Sequence, residues 1–142
     1  MPTLSLPTAD SSLETFSTSA PREFPAQADR PFNRIAYAAA HVVPNALADN
    51  DPWLDTSVDW DRTIAFRRHL WGLGLGVAEA MDTAQRGMGL DWPTSLELIG
   101  RSVEAARDVP GAVVASGAGT DHLTPDPSLT TDDVIRAYEE QC

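Results

Sequence analysis

The sequence predicts an α/β fold in which three strand–helix units follow one another behind an N-terminal β-hairpin. Three observations carry that expectation. Residues 34–43, 77–82 and 111–116 are continuous apolar runs rather than clean alternations, as expected of strands covered on both faces of a parallel sheet. Stretches with helical periodicity separate and follow them. Each run also ends in polar residues, at His41, at Asp82-Thr83 and at Ser116, and active sites of α/β proteins gather at that edge of the sheet.

The elements can be justified in order. Residues 3–6 and 13–17 are short extended runs around the turn-rich Ala9-Asp10-Ser11-Ser12, which reads as a hairpin. Residues 18–31 contain Pro21, Pro25 and Pro31 with little periodicity, so 1–31 form a hairpin and linker arm and 32–142 the body. After the first run, Asp49, Asp51, Asp55, Asp59 and Asp61 read as a solvated loop entering a helix N-terminus at about residue 61. That helix runs to about residue 73. The second helix, about 93–107, starts at Pro93, a residue suited to a first turn, and repeats Leu96, Ile99, Val103 and Ala106 as its buried stripe. The third, about 131–141, has Thr130 or Thr131 as N-cap, Asp132 and Asp133 in its first turn, and Val134, Ile135 and Tyr138 as its buried side. Right-handed crossovers would set the three strands side by side and parallel, bringing His41, the Asp82 loop and the Ser116–His122 loop to one edge. Three parallel strands leave an unpaired edge. The chain is therefore expected to be part of a longer parent, a small open sheet, or a homo-oligomer joined through that edge.

Composition narrows the function. A chain of 142 residues, 42% of them hydrophobic, suffices for one domain with a core. A formal net charge of -11 argues against nucleic acid and against anionic membranes as partners. Cys142 is the single cysteine, which excludes an internal disulfide and a cysteine-rich metal cluster and suits a reducing compartment. No run approaches the roughly 20 apolar residues of a membrane span, and no signal-like segment opens the chain. The expectation is a soluble, cytoplasmic protein. All ten basic residues are Arg, so no Schiff base can form within these residues.

His41 and His122, at strand ends, are candidates for general-base or metal-ligand roles. With Asp82 they would form a set of two histidines and one carboxylate that suits a divalent metal, the one cofactor these residues suggest. The plainer alternative is that each His bonds a loop backbone. His69, mid-helix, reads as structural. The segment Ser116-Gly117-Ala118-Gly119-Thr120-Asp121-His122 fails as a dinucleotide loop, because His122 stands at the third Gly position and Pro125 and Pro127 follow. It fails as a hydrolase site because no Gly-x-Ser-x-Gly elbow exists. What remains is a Gly-rich loop that brings a ligand close to Ser116 and Thr120, or a tight turn. Of the four tryptophans, Trp53 or Trp92 could line a pocket, and Trp60 and Trp71 are expected at core edges. Glu79 lies inside a strand that should be buried, so it needs Arg34 or another Arg from a neighbouring element; without one it becomes a candidate acid.

The segment Gly74-Leu75-Gly76-Val77-Ala78-Glu79-Ala80-Met81-Asp82-Thr83-Ala84 resembles the second strand of the dihydrodipicolinate synthase and N-acetylneuraminate lyase superfamily, where Gly-Thr-Thr-Gly-Glu ends that strand. Residues 34–43, 49–53 and 80–92 resemble more closely an uncharacterised bacterial subfamily of the DUF993 type, and the likeness runs through nearly the whole chain. The resemblance implies a partial (β/α)8 TIM barrel, the first three βα units, from a lyase or aldolase acting on a small oxo acid. Thr83 then stands where relatives relay protons and hold a 2-oxo-acid carboxylate. Asp82, Gln85 and Arg86 border the substrate, with Arg86 offsetting the anion that Asp82 introduces, and Ala84 replaces the second Thr. The superfamily's Schiff-base Lys and catalytic Tyr lie on later strands, so these units alone are expected to be inactive. The alternatives are a non-catalytic assembly or binding chain, and a metal-assisted enzyme using His41, Asp82 and His122.

Overall fold

β1 (Thr3–Pro7) and β2 (Leu13–Ser17) pair antiparallel, with Leu4 opposite Phe16 and Leu6 opposite Glu14. The five residues between them turn because Asp10 organises them. Its carboxylate accepts from the Thr8 hydroxyl and from the Ser12 amide and hydroxyl, which holds its pKa down to about 2, and Ser11 takes a left-handed φ of 65°. The computed structural model describes residues 2–24, 30–51, 54–81, 86–87 and 89–142. Every residue of both hairpin strands is exposed.

The body is built on β3 (Tyr37–Ala39), β4 (Gly76–Glu79) and β5 (Val114–Ser116), all parallel and in the order β3-β4-β5. This is the side-by-side arrangement that the sequence pattern implies. Gly76 is required by its neighbour: a Cβ there would lie 2.8 Å from the Tyr37 ring. The strands are shorter than the apolar runs, for reasons visible at their ends. After Ala39 the carbonyls of Ala40 and His41 turn to Arg67 rather than to the ladder. After Glu79 the chain breaks at Ala80, whose φ of 48° is left-handed and unfavourable for a residue with a Cβ.

α1 (Trp60–Gly72) begins where the acidic loop supplies a cap: Asp59 accepts from the Arg62 amide at 3.0 Å, and Asp61 sits in the first turn. The helix buries Thr63, Arg67, Leu70 and Trp71 against β4 and α2, and His69 faces outward. α2 (Trp92–Arg107) is capped by Asp91, which accepts from the Thr94 amide, and has Pro93 in its first turn. Its buried stripe is not the one the apolar spacing suggests. Ser95, Leu98, Ser102 and Ala105 are buried, whereas Leu96 and Val103 are exposed and Ile99 and Ala106 lie at the border. The helix is turned so that Ser102 reaches Glu79 and Leu98 fits against Ala80 and Leu90. α3 (Thr131–Gln141) has the expected Thr130 cap, completed to a capping box by Asp133, but its Val134, Ile135 and Tyr138 face is exposed and Ala137 is its one buried residue.

Two clusters form the core. Ala40, Leu70, Trp71, Val77 and Ala105 lie between α1, α2 and the sheet, and Ala80, Leu90 and Leu98 close the strand-end side. The result is a mixed α/β chain with two small sheets and three helices; among the described residues the strands close no barrel. No helix among them is long and apolar enough to cross a membrane.

Candidate functional site

The strand-end edge rests on a buried ion pair. Arg67 and Glu79, both fully buried, meet through two parallel bonds, Nε to Oε2 at 2.9 Å and Nη2 to Oε1 at 2.8 Å. The three remaining guanidinium donors go to the carbonyls of His41 (2.6 Å), Thr63 (3.4 Å) and Ala40 (3.5 Å). Glu79 also accepts from the Ser102 hydroxyl and from the Ala80 amide at 3.1 Å. Both charges are thus fully hydrogen-bonded, the condition under which such a pair is tolerated in an interior. Glu79 has its Arg partner, but that partner is Arg67 and not Arg34, and the pairing removes Glu79 as a free acid. The sequence signal for Arg67 is its place in the stripe Thr63, Arg67, Leu70 and Trp71, a cation at an otherwise inward-facing helical position.

One peptide links this pair to a second network. The Ala80 amide serves Glu79, while the Ala80 carbonyl accepts from Arg86 Nη1 at 3.4 Å. Arg86 grips Asp121 through two bonds, Nε to Oδ2 at 3.0 Å and Nη2 to Oδ1 at 2.8 Å, and donates to the Gly117 carbonyl and the Gln141 side chain. This guanidinium holds the Asp121 carboxyl at a pKa of about 2. Gln141 ties α3 into the same place, accepting from the Gly119 amide at 2.7 Å and meeting the His122 Nδ1 at 2.6 Å. The other ring nitrogen of His122 lies 3.2 Å from Glu140. The Trp92 ring packs between Arg86, 5.0 Å from its centroid, and His122, 5.9 Å away.

Two depressions flank Asp121. A pocket of about 360 Å³ lies at the ends of β4 and β5, lined by Ala80, Met81, Arg86 and Gly117–Asp121. Gly117 brings the wall close to Met81, whose sulfur would lie 2.7 Å from a Cβ there and would have to swing aside. Among the described residues the amides of Ala118 and Thr120 have no hydrogen-bond partner, and neither has the Thr120 hydroxyl. A wider cleft of about 690 Å³ lies on the other side, walled by Trp92 and His122 and edged by Asp55, Asp91 and Asp121. Asp55 and Asp91 make that cleft a poor host for an anion; the smaller pocket, whose one carboxylate, Asp121, is neutralised by Arg86, suits one better.

The structure brings Arg86, Thr120, Asp121 and His122 together at this edge and leaves Ser116 exposed on β5. His41 is also exposed, and it is its backbone carbonyl that enters the Arg67 network. Asp82, Thr83, Gln85 and Trp53 lie outside the described residues. Among the described residues no group of three His, Cys, Asp or Glu side chains is placed to hold a metal ion. The expected role of Arg86 in receiving a substrate is narrowed, because all five of its donors are already used within the protein. Asp121 and Gln141 complete the site without having been singled out as its members, whereas Trp92 lines the wider cleft, one of the two tryptophans expected to be able to line a pocket.

No curated protein matches this chain. The model of one family, described as "Protein of unknown function (DUF993)", matches residues 4–142. Covering nearly every residue, that match establishes that the chain belongs to the DUF993 family.

Proposed function

We propose that this chain supplies the first three βα units of a (β/α)8 barrel of the dihydrodipicolinate synthase and N-acetylneuraminate lyase kind, and that its strand-end pocket receives a small 2-oxo acid. The observation that carries the reading is the pocket at the ends of β4 and β5, where the amides of Ala118 and Thr120 and the Thr120 hydroxyl, without partners among the described residues, stand beside an arginine-neutralised aspartate. Backbone amides open to the pocket can donate to a carboxylate, and the one carboxylate in its wall is already neutralised by Arg86. The consecutive parallel order of β3, β4 and β5, each followed by a helix, is in keeping with a barrel sector. Arg86 here acts as a positioning residue that holds the 117–121 loop. Thr83 is the position the family resemblance assigns to proton relay.

With no Lys in these residues, the chain binds the oxo acid without forming a Schiff base to it. Isothermal titration with pyruvate and with lactate tests the reading. Saturable binding of pyruvate, weaker binding of lactate, and no covalent adduct after borohydride reduction are expected. Absence of binding by either acid overturns it.

A further inference from the structure

Seven of the ten arginines pair with a carboxylate, among them Arg67, which takes the place expected for Arg34 beside Glu79. Arg22, Arg30 and Arg34 have neither an ion pair nor a hydrogen bond among the described residues, in a chain with 21 acidic side chains. Arg30 and Arg34 line one pocket of about 470 Å³. It lies at the N-terminal ends of the three parallel strands, where residues 30–36 lead into β3, 73–75 into β4 and 108–113 into β5. Gly74 and Gly111, at left-handed φ of 80° and 78°, turn the chain from α1 and α2 back into the sheet. Phe32, Ile35, Leu75 and Trp71 make much of the remaining wall apolar, and among the described residues that wall carries no carboxylate. Trp71 offers only its ring, because its indole N–H donates to the Val113 carbonyl at 3.3 Å.

We propose that this pocket binds a small phosphate monoester with an apolar body, the guanidinium groups of Arg30 and Arg34 holding the phosphate while Phe32 and Ile35 close over the body. A guanidinium fork matches a phosphate through paired hydrogen bonds. A monoester carries about -1.5 to -2 charges at neutral pH, which balances two arginines, whereas a carboxylate balances one. Inorganic phosphate alone would leave the apolar wall open, with Phe32 54% and Ile35 74% exposed. The cavity falls within the roughly 300–1,000 Å³ of small-molecule sites. It shares no residue with the strand-end pocket, and Gly76 at its edge stands roughly 13 Å along β4 from Ala80. The two sites are therefore at opposite ends of the same sheet, and this one stands or falls separately from the oxo-acid reading.

Isothermal titration of the full chain with phenyl phosphate, inorganic phosphate and phenol tests this, together with the variants Arg30→Gln and Arg34→Gln. Both arginines are exposed, so circular dichroism should be unchanged in either variant. Saturable binding of phenyl phosphate, weaker binding of inorganic phosphate, no binding of phenol, and an affinity for phenyl phosphate about tenfold or more lower in each variant are the expected results. Amide spectra should place the phenyl phosphate shifts at residues 30–36, 72–76 and 110–113. No saturable binding of phenyl phosphate, binding no tighter than that of inorganic phosphate, an affinity indifferent to both substitutions, or shifts gathered at Gly117–Asp121 instead would overturn the proposal.

Discussion

Arg67 and Glu79 face each other through two parallel hydrogen bonds at the meeting point of α1, β4 and α2, and neither side chain is reached by solvent. Removing one partner strands the other charge in the interior. Arg67→Ala or Glu79→Ala is therefore expected to destabilise the fold by about 3–5 kcal/mol, read from urea unfolding. The double variant should cost much less than the sum of the two, because no unpaired charge then remains.

The two buried serines of α2 should respond in opposite directions. Ser102 donates to the Glu79 carboxylate, so Ser102→Ala is expected to cost about 1.5–3 kcal/mol. Ser95 is fully buried and its hydroxyl has no partner among the described residues. Ser95→Ala should raise stability by about 1 kcal/mol, through relief of that desolvated group and a better helix former. The shifts of the two urea midpoints decide the matter.

The rotation of α2 can be checked in the same way. Leu98 is fully buried and Leu96 half exposed. Leu98→Ala is expected to cost about 2–5 kcal/mol, and Leu96→Ala no more than about 0.5 kcal/mol. Equal losses would return the helix to the stripe that its apolar spacing suggests.

Acid should release the loop that closes the strand-end pocket. Arg86 lowers the Asp121 pKa to about 2 in the fold, against about 3.9 for a free Asp. The unfolded chain therefore takes up the proton first, and the stabilisation is complete above about pH 4 and lost as pH falls through about 2. Urea midpoints followed down through this window should converge for wild type and Asp121→Asn.

What the sequence made legible was local and periodic. The Thr130 cap, Pro93 in a first turn, the acidic loop running into α1 and the hairpin loop around Asp10 follow from chemistry within a few residues, and the parallel order of the three short strands from the crossover rule. What was hidden depends on contacts distant in sequence. Arg67 and Glu79 are twelve residues apart, Ser102 is twenty-three from Glu79, and Gln141 reaches Arg86 from fifty-five residues away. The buried face of α2 was misread for that reason: a carboxylate on another element turned the helix to bury Ser102, leaving Leu96 and Val103 exposed. The α3 face was misread because its apolar spacing asks for a partner that the described chain does not supply.

The central claim, a small oxo acid held at the ends of β4 and β5, is tested most directly by amide spectra of the isotope-labelled chain titrated with pyruvate. Saturable shifts confined to Gly117–Asp121 and the Arg86 side chain, with the hairpin amides unmoved, are the expected result. Shifts that never saturate, or that gather at the Trp92 and Asp91 cleft while the Gly117–Asp121 loop stays silent, would contradict it.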